Sequence, residues 1–362
     1  VINIKNKYKI IISCILICLF GLLMVYSSST IWAEYKFNDS LYYFKHQGLF
    51  FLVGLIAMYI VSKIDYKLYL KYSNKILLIS FILLVLVLIP GIGQVRNGSR
   101  SWFGLGSFGF QPSEVAKLSL IIFVSKYLSN NEKEVKSIKK GVLPILIIIF
   151  LFFGLIMLEP DFGTGMVIVA TLFVMLFASN IKLSFFGYLI VLGIVGIVGL
   201  IIMAPYRMAR IISFINPWTD PLGSGFQIIQ SLYAISPSGL FGRGLGNSIQ
   251  KHFYLPEPQT DFIFAIISEE LGILGIIILA ILFLVLFSSS LKVSLVSKDL
   301  FGKYLSFGLI IGIMLQTALN ICVVIGLVPV TGVTLPFISY GGSSLLVSMV
   351  SVGIILNISN EK

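Results

Sequence analysis

Ten apolar runs, averaging about 20 residues, divide this chain of 362 residues. They fall near 10–26, 47–62, 76–90, 113–128, 142–158, 163–179, 184–204, 261–288, 304–327 and 337–357. A run of that length makes a helix able to cross a hydrocarbon core of about 30 Å. Lipid cannot satisfy the edges of an open sheet, and these runs lack the two-residue alternation of a barrel strand. The expectation is an all-α polytopic membrane protein of about ten transmembrane helices. Composition agrees, since only 11% of residues are charged, about half the fraction of a soluble domain.

The loops set the sidedness. One set holds the N-terminus, 63–75, 126–140, 182 and 292–303, and it is rich in lysine. Roughly 17 of the Lys and Arg residues lie there, against roughly 8 on the other side. The lysine-rich side is expected in the cytoplasm, with both termini. The net charge of +11 therefore reads as membrane topology and not as a nucleic-acid surface. The seventh and eighth runs are joined by about 55 residues, 205–260, too long for a bare connector. Its apolar stretches at 210–215 and 226–235 predict short helices at the outer surface. No internal repeat divides the chain, so one membrane domain over 1–362 is expected. Cys14, Cys18 and Cys322 lie within apolar runs and give no disulfide framework. Two histidines, His46 and His252, exclude a multi-histidine zinc site.

Asp261 stands where the long polar loop ends and an apolar run begins. It could simply cap that helix. It could also serve a polar head group whose tail stays in lipid. Gln111-Pro112-Ser113-Glu114 reads as a helix start, and Glu114 and Lys117 are spaced to pair on one face. Charges within a span are costly, so the pair is either a structural tie or the lining of a cavity. Asp161 is placed to cap the helix after it. Arg207 and Arg210, three apart, suit a diphosphate or lipid phosphates. Arg100 and Trp102 suit either phosphate binding or interfacial anchoring. The glycine-rich 239–246 lacks the strand–turn–helix context of a nucleotide loop and reads as a tight turn. Glu269, Glu270, Gln316 and Asn320 read as bonds between spans.

Taken together, NGSRSWFGLGSFGFQPSEVAKL, EPDFGT, PYRMARIISFINPW, GRGLGNSIQKHFYLPEPQTDFIFAIISEELGILG and VVIGLVPVTGVTLPFISYGGSS resemble the SEDS family (shape, elongation, division and sporulation; FtsW, RodA and SpoVE). The similarity runs from about 97 to 344 and is greatest to the FtsW/SpoVE branch. It departs from the family at Ser101, often a second arginine, at Gln259, commonly histidine, and at Ser238, commonly glycine. The resemblance implies a peptidoglycan glycosyltransferase of ten spans in the bacterial cytoplasmic membrane. Its substrate would be lipid II and its active site extracytoplasmic, serving septal or spore wall synthesis. A class B penicillin-binding protein (a transpeptidase) and other division or sporulation proteins would be partners. The catalytic aspartate of the family falls on Asp261. Substrate-binding positions fall on Arg100, Trp102, Glu114, Lys117, Arg207, Arg210, Lys251 and Glu257. No cofactor is implied with certainty, and a divalent cation, Mg or Mn, is left open. A lipid II flippase and a non-catalytic divisome scaffold are the rival readings.

Overall fold

The computed structural model describes residues 4–96, 98–105, 108–179, 181–202 and 205–360. The side chain of Arg207 lies outside what is described. Ten helices correspond to the ten apolar runs: α1 (Ile4–Phe37), α2 (Tyr42–Lys63), α3 (Lys67–Leu88), α4 (Pro112–Asn130), α5 (Leu143–Leu158), α6 (Phe162–Phe177), α7 (Leu183–Ile202), α10 (Ile263–Val296), α11 (Leu300–Val324) and α12 (Gly342–Ile358). Between α7 and α10 lie the short helices α8 (Pro205–Ile215) and α9 (Phe226–Ile235), in the two stretches where the sequence predicts them. By length and composition, α1, α2, α3, α10 and α11 are each able to cross a membrane.

The helices differ greatly in length. Lys7 Nζ donates to Asn360 Oδ1 at 2.7 Å, so the start of α1 and the end of α12 are level at the lysine-rich end. From there α12 runs only 17 residues, while α1 runs 34. At 1.5 Å per residue the first spans roughly 25 Å and the second roughly 50 Å. Helices α4 and α6 are also short, at 19 and 16 residues. The starts of α4, α6 and α12 are therefore recessed relative to the far end of α1, a depression in the level of the helix ends. The lead-in to α12 packs deep against α1, where a Cβ on Gly21 would meet Phe337 O at 2.6 Å.

Helix α10 is broken at Gly272 (φ 62, ψ −158). Residues 263–270 are all buried, whereas the lipid-facing side chains begin with Ile273 and Leu274. The break frees backbone groups that must find partners elsewhere. The glycine-rich 239–246 supplies them. Arg243 and Gly244 N–H donate to Glu269 O and Glu270 O, and Ile273 and Leu274 N–H donate to Gly239 O and Leu240 O. Two glycines face each other in this clasp. A Cβ on Gly242 would meet Glu270 O at 2.4 Å, and one on Gly272 would meet Gly242 N at 2.4 Å. The predicted tight turn is thus a splice inserted into a transmembrane helix.

A small sheet joins the helices. Strands β1 (Gln94–Arg96), β2 (Ser99–Leu105) and β3 (Phe108–Phe110) form an antiparallel meander between α3 and α4. Hydropathy does not announce it, because β1 and β3 have only three residues each. Ser343 Oγ, in the first turn of α12, donates to Gly109 O at 3.2 Å and fixes β3 over the depression.

Candidate active site

Asp261 lies two residues ahead of α10. It does not cap the helix: the flanking residue is Phe262, and no side chain caps the start. The backbone of 259–261 is gripped instead, one carbonyl after another. Tyr340 N–H donates to Gln259 O at 2.8 Å. Ser339 Oγ donates to Thr260 O at 2.7 Å. Asn320 Nδ2 donates to Asp261 O at 2.7 Å. Among the described residues, no group donates a hydrogen bond to the Asp261 carboxylate. Burial pushes its pKa up to about 6; the nearby Glu257 and Asp161 charges also raise it, and Arg210 opposes them. Gly332, at φ 76, runs beneath it, where a Cβ would lie 3.7 Å from Asp261 Oδ2.

Helix starts meet around this carboxylate. Gln111 precedes α4; its N–H donates to Ser343 Oγ of α12 at 3.0 Å, and its Nε2 donates to Asp161 Oδ2 at 2.8 Å. Asp161 in turn caps α6 by accepting from Thr164 N–H at 3.2 Å. Burial raises the pKa of Asp161, and its hydrogen bonds to Thr164 and Ser113 pull the other way. The starts of α4, α6 and α12 are thus tied together. The lead-in to α12 carries Ser339 and Tyr340, which hold the lead-in to α10. The neighbouring Glu159 is fully buried, and among the described residues neither of its carboxyl oxygens has a partner. Burial, with the Asp161 charge added, pushes its pKa to about 9, so it is a neutral acid.

The other candidates divide into four groups. Arg210, on α8, acts on Asp261 by charge and donates from Nη1 to Val330 O at 3.2 Å. Glu257, at φ 43, acts on Asp261 as a second negative charge. Glu114 and Lys117 do pair, at 2.7 Å, but inside the bundle. Lys117 Nζ also donates to Gln316 Oε1 at 2.6 Å, and Gln316 Nε2 donates to Thr334 O at 3.1 Å. The pair therefore supports the wall beneath Asp261. Arg100 and Trp102 share one face of β2, by strand alternation. There the Arg96 guanidinium lies 5.2 Å from the Trp102 ring. On the opposite face Ser99 Oγ donates to Glu159 O. Lys251 is buried; its Nζ donates to Glu270 Oε1 at 3.0 Å and to Gly246 O at 2.5 Å. It belongs to the α10 clasp, and the structure does not bring it to Asp261. Among the described residues, no three of His, Cys, Asp and Glu are grouped to hold a metal.

Sequence reasoning singled out neither Gln111 nor the grip on 259–261. Gln111 had a signal in the helix start at Pro112. The grip had none, because its partners lie 59 to 81 residues away.

The chain matches the family described as cell cycle protein, FtsW/RodA/SpoVE, over residues 8–362. It is 52% identical to stage V sporulation protein E of Bacillus subtilis (strain 168) over 350 residues, 97% of this chain and 96% of that protein. It is 40% identical to the protein named probable peptidoglycan glycosyltransferase FtsW of Geobacter sp. (strain M18), over 97% of this chain and 96% of the other. Its fold superposes on a chain from a structure of a peptidoglycan synthase complex that coordinates polymerization and crosslinking. The TM-score is 0.78 at 27% identity, covering 97% of each chain. The rod shape determining protein RodA of Thermus thermophilus shares the fold, with a TM-score of 0.71 at 24% identity over 97% of this chain and 95% of that one. Ten helices, an aspartate at a junction of helix starts and a match along nearly the whole chain agree, and the protein belongs to the FtsW/RodA/SpoVE family, the SEDS proteins.

Proposed function

We propose that this protein is a peptidoglycan glycosyltransferase that polymerises lipid II for septal or spore wall synthesis. The observation that carries the reading is Asp261. It is a carboxylate held through its backbone, with a pKa raised to about 6, at the floor of a depression in a membrane bundle. Such a group is charged at neutral pH yet basic enough to accept a proton.

The reaction follows from that placement. Asp261 takes the proton from the GlcNAc 4-hydroxyl of an acceptor. The freed oxygen bonds to MurNAc C1 of the donor as the C1–O bond to diphosphate breaks. The electron pair leaves with undecaprenyl pyrophosphate, and inversion gives a β-1,4 link. Negative charge then grows on the leaving group. The tied starts of α4, α6 and α12 present partial positive charge to it, and Arg210 adds a full one. Arg207, Arg100 and Trp102 would bind the rest of the head group. A divalent cation such as Mg or Mn, carried on the diphosphate, would add to the same neutralisation.

In this reading the lysine-rich end and both termini are cytoplasmic, and the depression opens outward. A class B penicillin-binding protein would crosslink the emerging strand, and other division or sporulation membrane proteins would complete the assembly. The support is the likeness to a chain of a complex that couples polymerization to crosslinking.

The test is glycan synthesis from labelled lipid II by the purified protein with its transpeptidase. Wild type should make polymer, and Asp261→Asn should make almost none at equal folding. Equal polymer from both would remove Asp261 from the chemistry. No polymer from either, with an active partner, would favour a flippase or a scaffold.

A further inference from the structure

Among the described residues, no hydrogen bond to the Asp261 carboxylate fixes its direction, and α10 begins two residues after it. A reactive base left free in that way must be aimed by its main chain. The α10–α11 hairpin shows how far the main chain has to be brought. Asp261 lies 35 residues up α10 from Val296, and Asn320 lies only 20 up α11 from Leu300. Straight helices would leave them some 20 Å apart in level, at 1.5 Å per residue. Yet Asn320 Nδ2 meets Asp261 O at 2.7 Å. The break at Gly272 turns 263–271 aside, and Asn320 catches its end.

Asn320 does a second thing with the same amide. Its Nδ2 also donates to Val333 O at 2.7 Å. Val333 follows Gly332, the residue beneath the Asp261 carboxylate. Both partners are carbonyls, so the amide nitrogen must face them and the amide orientation is fixed. Asn320 is 1% exposed, so neither bond is shared with bulk water. One turn earlier on the same face, Gln316 holds Thr334 O. Arg210 holds Val330 O at the other end of the segment.

We infer that Asn320 is the positioning residue for the catalytic aspartate: one amide on α11 sets the distance between the Asp261 main chain and the Gly332–Val333 wall, and so aims the carboxylate at the acceptor hydroxyl. This rests on the glycosyltransferase reading above. Asn320 touches neither substrate nor the reacting atoms and acts only through Asp261. A displacement of about 1 Å in a reacting group costs on the order of a hundredfold in rate.

The experiment measures single-turnover polymerisation with the full-length protein and its transpeptidase, saturated with labelled lipid II and normalised to lipid II bound. Asn320→Leu removes both donors. Turnover per bound lipid II should fall about a hundredfold, with lipid II affinity and binding stoichiometry unchanged. Thr317→Val is the control. It deletes a buried hydrogen bond, to Ile313 O within α11, and should leave turnover unchanged. A purely structural Asn320 would lower the bound stoichiometry and leave turnover per bound molecule intact, which would overturn the inference. If Asn320→Leu does not fold, Asn320→Asp keeps the shape. Its ionised carboxylate has no proton to donate, so turnover per bound lipid II at neutral pH should fall as in Asn320→Leu. Turnover equal to wild type would equally overturn the inference. Asp261→Asn is run beside both variants. Polymer from that variant would sink the functional reading itself, whatever Asn320 does.

Discussion

Two sets of carboxylates sit on one stretch of chain, about two turns apart, and they are treated in opposite ways. Glu269 and Glu270 are fully buried and fully engaged. Ser248 Oγ and Ile249 N–H donate to Glu269, and Ser27 Oγ and Lys251 Nζ donate to Glu270. Asp261 is half-buried, and its carboxylate is left without a donor among the described residues. The first set closes a break in a helix. The second is held by its main chain so that its side chain stays available. The engaged acids build the frame, and Asp261 is the acid for which a chemical role is proposed.

The contrast is sharpest in what each set should lose. Asp261→Asn should cost about 10²- to 10⁴-fold in polymerisation rate, the range of a general base, with no fall in thermal stability. Lys251→Met should do the reverse. It leaves Glu270 buried without its cation, a loss of about 3–5 kcal/mol. Unfolding in detergent would show it, and Lys251→Met with Glu270→Leu should recover most of it. Full stability in the single variant would mean that the clasp is not a frame. Gly272→Ala forces a side chain into a left-handed position against Gly242 N, and the backbone strain alone is about 1–3 kcal/mol. Activity should fall with stability there, since the same break delivers Asp261.

Two smaller effects depend on pH. Asp261 must be ionised to accept a proton, so activity should climb as pH rises through about 6 and then level off. At pH 5 the rate should be about a tenth of the plateau, one pH unit being a factor of ten. A profile flat from pH 5 to 8 would place the base elsewhere. Glu159 runs the other way. Its pKa is raised by folding, to about 9, so the folded state favours the protonated form. Its contribution to stability is therefore intact below about pH 4.5, the unfolded value, and is lost as pH rises toward 9. Glu159→Gln should match wild type at pH 5 and gain on it as pH increases, measured by unfolding at each pH.

Much of this was legible from residues alone. The ten spans follow from hydropathy, the pairing of Glu114 with Lys117 from spacing, and the cap at Asp161 from its place before Phe162. Asp261 stands out by its place at a polar-to-apolar boundary, where the helix-cap reading is the one the structure sets aside. The meander was half legible. Gly98, at φ 81, marks its first turn, but β1 and β3 have only three residues each and carry too little pattern to be recognised. The splice at Gly272 left one clue, two adjacent glutamates in an apolar run, which are hard to bury unless something polar enters beside them. Asn320 was legible as a bonding residue within the bundle, but its partner was not. An amide in a span bonds to whatever the fold brings near, and here that is a carbonyl 59 residues away in sequence.

The short helices at the floor of the depression bear on how such a protein is inserted. In the orientation proposed here, every lysine or arginine added on the outward side would weaken the topogenic signal that keeps the lysine-rich loops inside. A site for a diphosphate nevertheless needs positive potential. Peptide dipoles provide it without entering that signal, because translocation reads side-chain charge and not the direction of a helix. Alternate spans that begin on one face thus give the outward side an anion-attracting floor while its loops stay poor in basic residues.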